Sequence, residues 1–412
     1  MGRMSFTFSL PATPAAIDSP DMRRAGRDLL SLALMDARNH TLHLLDQFEP
    51  QSLQPVTANE VVPPPLWLVG HVGWMAEAWL GRNTQRAQGP ECPAQPTRLA
   101  SIEPNADRWW NPEQMHPPAP DTATTKNFLL ETLESTLELL EKSPEDDNAL
   151  YFYRLALFHE DMRGEQLITL AQARGVPLRV LAPPSMVARE TLLLPAGEWQ
   201  LGSAPGGFVF DNEKWAHPKP MAEFDIDAQA VSWAQFVEFV DDGGYDNPAY
   251  WRPEGWSWLK AHVARTGRRG PRYVEQIGVS TGAVLQRRFG AAVRMAPAQP
   301  AMHMSWWEAD AWCRWAGRRL PSEAEWEMAA MTAGRRGFRW GDVHEWTADL
   351  FMPWPGFKAD PWDAYSAPWF KRARTLRGAS FATRARMKHP KFRGFAMPGD
   401  DVRFVGFRSC AV

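Results

Sequence analysis

The feature that most constrains this chain is a change of texture at "LRVLAPPSM", residues 178–186. Before it, apolar residues recur at helical spacing through whole segments. After it, apolar runs are short and broken by Gly, Pro, Asp and Asn. A 3.6-residue period buries one stripe of a helix, whereas short runs between turn residues suit strands and loops. One core rarely extends over a chain of 412 residues, so two domains are expected, divided at this point. The expected boundaries are a flexible lead over 1–22, a helical domain over 23–182 and a loop-rich domain over 187–412.

Four helices are expected in the first domain. Ser19 before Pro20 gives a start signal, and Leu29, Leu30, Ala33, Leu34, Leu42 and Leu45 follow at helical spacing. A second helix follows "PPP" and runs through "LWLVGHVGWMAEAWLGRN". In the third, "TKNFLLETLESTLELLEKS", the expected buried stripe is Leu129, Leu130, Leu133, Leu137 and Leu140. The fourth is "DNALYFYRLALFHEDMRGEQLITLAQARG". Four helices with one irregular connection over about 84–121 imply an up-down bundle. In the second domain only "SWWEADAWCRWAG", stopping at Gly317, and "PSEAEWEMAAM", with Ser322 and Glu325 in capping-box spacing, stand out as helical. Many of the 21 tryptophans fall in this half, so aromatic packing is expected to hold its loops.

Composition removes several classes of function. A formal charge of −3 without a long basic run excludes a general nucleic-acid binder. Cys92, Cys313 and Cys410 lack the spacing of a thiolate zinc site and cannot all pair. No apolar run approaches the roughly 18 residues that span a membrane, and the N-terminus lacks a signal-peptide apolar region, so a cytoplasmic location is expected. There is no phosphate-binding glycine loop and no GxSxG elbow.

Two histidines carry the chemistry. His71 shares a helical face with Trp67, Trp74 and Met75, and His159 shares one with Leu155 and Met162. Each is consistent with a satisfied core histidine. Together, pointing into one bundle from two helices, they are also consistent with a metal site. One turn after His159, where a metal-binding helix would place a second ligand, stands Arg163, a permanent cation that cannot ligate. Asp161 and Glu165 lie at spacings that point away from His159. The pair His40 and His43, in the polar stretch "RNHTLHLL", reads as a partly exposed face.

The segments "PPLWLVGHVGWMAEAWLGRN" and "LALFHEDMRGEQL" resemble the DinB-like four-helix bundle of the ergothioneine-type sulfoxide synthases. "FVFDNEKWAHP", "MHMSWWEADAWCRWAGRRLPSEAEWEMAA", "GDVHEWT", "LRGASFATRARM" and "VRFVGFRSC" resemble their formylglycine-generating-enzyme-like domain, a C-type-lectin-related fold. The resemblance covers about residues 23–412 in order, and implies an α+β chain of two such domains. Within the family, "SIEPNADRWWNPEQM" and "RFVGFRSC" are most similar to the selenoneine branch, which joins a selenosugar to hercynine, the trimethylated betaine of histidine.

The resemblance implies a non-haem Fe(II) enzyme whose partners are hercynine, a selenosugar or thiol, and O2. In the family, iron binds the imidazole and the chalcogen and then activates dioxygen. Against the motif His-x3-His-x-Glu plus a distant histidine, His71 and His159 match two metal ligands and Glu165 the glutamate, while Arg163 fills the third ligand position. Weak iron binding and low turnover are therefore expected of the chain as it stands, with the hercynine pocket intact. The family's proton-donating tyrosine has no counterpart in "FRGFAMP", where Arg393, Gly394, Phe395 and Ala396 stand, which fits the selenium branch. Substrate contacts are expected from Trp346 by cation–π attraction, from Phe395, and from the polar cluster Arg393, Asp400, Asp401 and Arg403. Arg108 is a further candidate, toward the second substrate. Asp211, Asn212 and Glu213 are expected to tie loops together. Ergothioneine-type sulfoxide synthesis and a metal-free hercynine-binding protein remain as alternatives. Formylglycine generation is rejected, because Cys313 lies in an expected helix and Cys410 two residues from the end.

Overall fold

Asp146 opens the longest helix of the chain, its side chain accepting from the backbone N–H groups of Asn148 and Ala149, and Gly175 closes it in a left-handed conformation. The computed structural model in which this is seen describes residues 14–53, 63–113, 120–180, 182–278 and 283–412. The expected flexible lead falls mostly on residues 1–13, which lie outside those described.

The bundle comprises α1 (Arg27–Leu45), α2 (Pro65–Ala76), α3 (Thr122–Glu141) and α4 (Asp147–Arg174). Pro65 stands at the first turn of α2, where its missing N–H costs nothing. That helix runs on into a single π turn, Glu77–Gly81, a local widening that often accompanies functional sites. Every residue of α4 from Ala149 to Asp161 is buried, so it is the central element of the bundle.

The leucine stripe expected for α3 is partly corrected. Leu130 is 52 % exposed, and the inward face carries Thr125, Phe128, Leu129, Thr132, Thr136 and Leu140. A buried cation sets that face. Arg38 of α1 reaches the Leu129 carbonyl and pairs with Glu160 of α4 at 2.9 and 3.1 Å, so polar threonines there meet polar neighbours.

The second domain is built on two four-stranded sheets. One runs in the order Leu192–Leu194, Phe224–Ile226, Cys410–Ala411, Arg318–Arg319, and the other Arg393–Ala396, Arg374–Gly378, His344–Leu350, Val405–Phe407. The last pair is parallel and its neighbours are antiparallel. Four helices pack here, α5 (Trp233–Asp241), α6 (Pro253–Thr266), α7 (Trp306–Trp315) and α8 (Glu323–Thr332). The last two have the expected boundaries and the Ser322–Glu325 capping box. The first two fall in sequence whose glycines and prolines suggest turns, yet α5 has a full capping box of Ser232 and Gln235. The fold is thus α+β in two domains.

The domains are joined by buried ion pairs. Arg386 grips Asp161 of α4 at 2.6 and 2.8 Å with both side chains out of solvent, and Arg23 pairs with Glu213 at 2.5 Å. Among the described residues no helix is long and apolar enough to cross a membrane.

Candidate functional site

α2 and α4 bring His71 and His159 together, their ring centroids 5.3 Å apart and nearly perpendicular. His71 lies between Trp67 and Trp74, stacked at 4.9 and 5.5 Å. Its Nδ1 is 2.9 Å from the Trp110 carbonyl, which can only accept, so Nδ1 carries the proton and Nε2 keeps its lone pair. Gly70 makes this possible: a Cβ there would meet Trp110 Nε1 at 1.9 Å, so only glycine lets the indole lie against α2. Burial, and then the charge of Arg163, push His71 down to about 3, and hold His159 well below its usual range. Both rings are neutral at pH 7.

Arg163 defines the rest of the site. Its Nε–H donates to His159 Nε2 at 3.1 Å, and its Nη1 donates to Gln166 at 2.8 Å. The bond occupies the lone pair by which that imidazole could bind a metal. Among the described residues Arg163 has no carboxylate partner. Burial and the nearby Arg403, opposed by Tyr365, push it down to about 10, still fully charged at neutral pH.

Glu165 faces elsewhere. Its oxygens accept from His344 Nε2 at 2.9 Å, Ser380 Oγ at 2.5 Å and Thr383 Oγ1 at 2.7 Å, all in the second domain. Burial alone would raise this carboxyl, but those donors hold it down to about 2.

The residues present do not fit a three-ligand iron centre. Among the described residues no group of three or more His, Cys, Asp and Glu is placed to hold a metal. Two imidazoles remain, one already hydrogen-bonded by a guanidinium that would also repel a cation.

Of the other expected site residues, Arg403 lies near Arg163 and Phe395 meets Tyr365, while the rest make contacts of their own. Trp346 is fully buried in the core of the second domain and donates to the Met304 carbonyl, which leaves no face for a ligand. Arg393 is locked to Glu323 at 2.7 and 3.0 Å and lies over Phe351 and Trp354, a structural cation. Asp401 accepts from Arg268 and Arg272 at 2.6 and 2.7 Å, while Asp400 pairs with Arg403 at 3.0 Å. Arg108 is exposed. Phe395 stacks on Phe351 and meets Tyr365 edge-on at 5.7 Å.

Two residues at the site have no clear signal in the sequence. Trp362 sits edge-on to His159 at 5.3 Å, and Tyr365 packs on Trp362 at 4.9 Å. A phenol does stand here, but it comes from "PWDAYSAPW" rather than from the strand Arg393–Ala396. Aromatic density in a proline-rich loop is all that marks it.

Comparison with known proteins follows the same two-part division. Residues 180–342 and 339–411 match the sulfatase-modifying factor enzyme 1-like domain, and residues 33–171 match the DinB superfamily. A hercynine oxygenase of Mycolicibacterium thermoresistibile is 30 % identical over 436 residues, covering 92 % of this chain and 94 % of the relative. Another, from Mycolicibacterium smegmatis, is 28 % identical over 445 residues, covering 93 % and 98 %. The chain belongs to the hercynine oxygenase family. A formylglycine-generating enzyme of Streptomyces coelicolor is 36 % identical over 167 residues, but these are 37 % of this chain and 51 % of that protein. Within this family member Cys313 and Cys410 are buried and unbridged, and burial pushes both thiols upward, away from the reactive thiolate.

Proposed function

We propose that this chain binds hercynine beside His71 and His159 and joins its imidazole to the selenium of a selenosugar, the selenoneine branch of the family. The names of the full-length relatives support hercynine as substrate and oxidation as the reaction class. The observation that carries the reading is the aromatic enclosure of two neutral imidazoles by Trp67, Trp74 and Trp362. Such faces hold a trimethylammonium by cation–π attraction and an imidazole by stacking. Joining C–H to Se–H removes two protons and two electrons, which O2 accepts. His71, its proton fixed on Nδ1, presents Nε2 as an acceptor for an imidazole N–H.

Fe(II), the cofactor of the resemblance, is not held tightly by the chain as it stands, because Arg163 engages His159. Tyr365 favours a second reading, ergothioneine-type sulfoxide synthesis from hercynine and a thiol, since it offers a buried phenol near Arg163.

The test is aerobic incubation with ferrous salt, hercynine and either a selenosugar or cysteine, with products read by mass spectrometry, for the native chain and Arg163→His. A carbon–selenium product, formed faster by Arg163→His, is expected. A sulfoxide from cysteine, with no selenium product from either protein, would overturn the selenoneine reading.

A further inference from the structure

Asp211 is 2 % exposed, and its two oxygens have different fates. Oδ1 accepts from Ser366 Oγ at 2.7 Å, while Oδ2 has no hydrogen-bond partner among the described residues. A buried carboxylate with an unmet oxygen is costly unless something else supplies a donor. Asp211 lies in the wall of a small chamber with Tyr151, Phe210, Asp360, Trp362 and Tyr365. The chamber has room for one water-sized group, about 10 Å³, and shares Tyr151 and Asp360 with a neighbouring cleft of about 230 Å³.

The charges around this cleft are matched, with one exception. Glu91 pairs with Lys358 at 2.8 Å, Asp360 with Lys214 at 2.5 Å, and Asp147 with Arg154 at 2.7 Å. Asp211 is in no ion pair: it accepts from the Ser366 hydroxyl and the Asn212 backbone, and the nearby Lys214 is already paired with Asp360. Burial first, and then the neighbouring Asp360, push its carboxyl up to about 7, against the opposing effects of Ser366 and Lys214. The aromatic rings facing it favour a positive charge over a neutral donor. The unmet oxygen favours a cation with an N–H over a quaternary one, which has no proton to donate.

We propose that the cleft between the domains is a binding site for a small molecule bearing a protonated amine, with the amine seated against Asp211 and the rest of the molecule in the larger cavity. The chamber shares Trp362 and Tyr365 with the surroundings of His159, and the comparison with Asp211→Asn separates the two sites. A single water would satisfy the oxygen but supply no charge, so the two cases are separable by titration.

The full-length chain is titrated calorimetrically at pH 8 with ethanolamine, and then with choline, which differs only by three methyl groups on nitrogen. Saturable ethanolamine binding is expected, at least ten-fold tighter than choline and at least ten-fold weaker in Asp211→Asn, which keeps the bond from Ser366. Should Asp211→Asn fail to fold, the preference of the native chain between the two amines decides the question. No saturable binding, equal binding by Asp211→Asn, or tighter binding of choline would overturn the proposal.

Discussion

Arg163 and His303 show how a single buried group takes its chemistry from its surroundings. Arg163 donates to a neutral imidazole and so removes a ligand lone pair that the same helix would otherwise present. His303 is 1 % exposed and donates Nδ1–H to the Val402 carbonyl at 3.1 Å. Burial, and then Arg288, push it down to about 3, with Asp401 opposing. Its pKa is thus lowered on folding, from about 6.5 in the unfolded chain. The stability it contributes is complete above that value and is lost as pH falls from about 6.5 toward 3, because only the unfolded chain takes up the proton. The limiting slope is about 1.4 kcal/mol per pH unit. Asn tolerates the left-handed backbone found at His303, φ 64°. Urea unfolding at pH 7 and pH 5 should show a smaller loss for His303→Asn than for the native chain; equal losses would contradict the assignment. At this scale the histidine pair and the intrusion of Arg163 were legible, because helical spacing fixes which side chains share a face. Trp362 and Tyr365 were not, since a loop without periodicity gives no direction to its side chains. Trp346 and Arg393 are enclosed in the second domain, and an aromatic or a charge so placed looks, in sequence, the same as one that lines a pocket.

Among the elements, α2 is the one on which the site depends most closely. Its small residues at Gly70 and Gly73 admit Trp110, Phe128 and Leu129, and Trp110 in turn fixes the tautomer of His71. Gly70→Ala would drive a methyl into the Trp110 indole, an overpacking that costs about 1–3 kcal/mol. A fall in urea midpoint of that size is expected, together with loss of the fixed His71 tautomer in imidazole nitrogen spectra. An unchanged tautomer would show that Trp110 does not orient the ring. Among the bundle helices α1 and α3 were readable from an apolar period over several turns and α2 and α4 from long, largely apolar stretches, and α7 and α8 because Ser305 and Ser322 cap them. α5 and α6 were not: α5 runs into the Gly-rich turn at 243–244, α6 carries Pro253 and Gly255 in its first turn, and both gain order from core packing of residues such as Trp233, Phe236 and Leu259.

For the molecule as a whole, the question is whether the domains behave as one. The pair Arg386–Asp161 is buried on both sides and Arg386 also reaches Asp36 at 2.8 Å, so α1, α4 and the second domain share one charge cluster. Removing one partner of such a pair costs about 3–5 kcal/mol, because the other charge is left without compensation. Calorimetry should show one transition for the native chain and a lowered or divided one for Arg386→Ala; an unchanged single transition would mean that the interface does not depend on this pair. The change of texture near residue 180 made the division into two domains visible in the sequence. The contacts that join them were not visible, since ion pairs 190 and 225 residues apart leave no local pattern.

A hercynine site at the histidine pair, kept from holding iron by Arg163, is the central proposal. It is tested by anaerobic titration of ferrous iron, with hercynine present, into the native chain and Arg163→His. Tight binding of one equivalent by Arg163→His alone is predicted. Equally tight binding by both proteins would contradict the proposal, because the guanidinium would then leave His159 free to bind the metal.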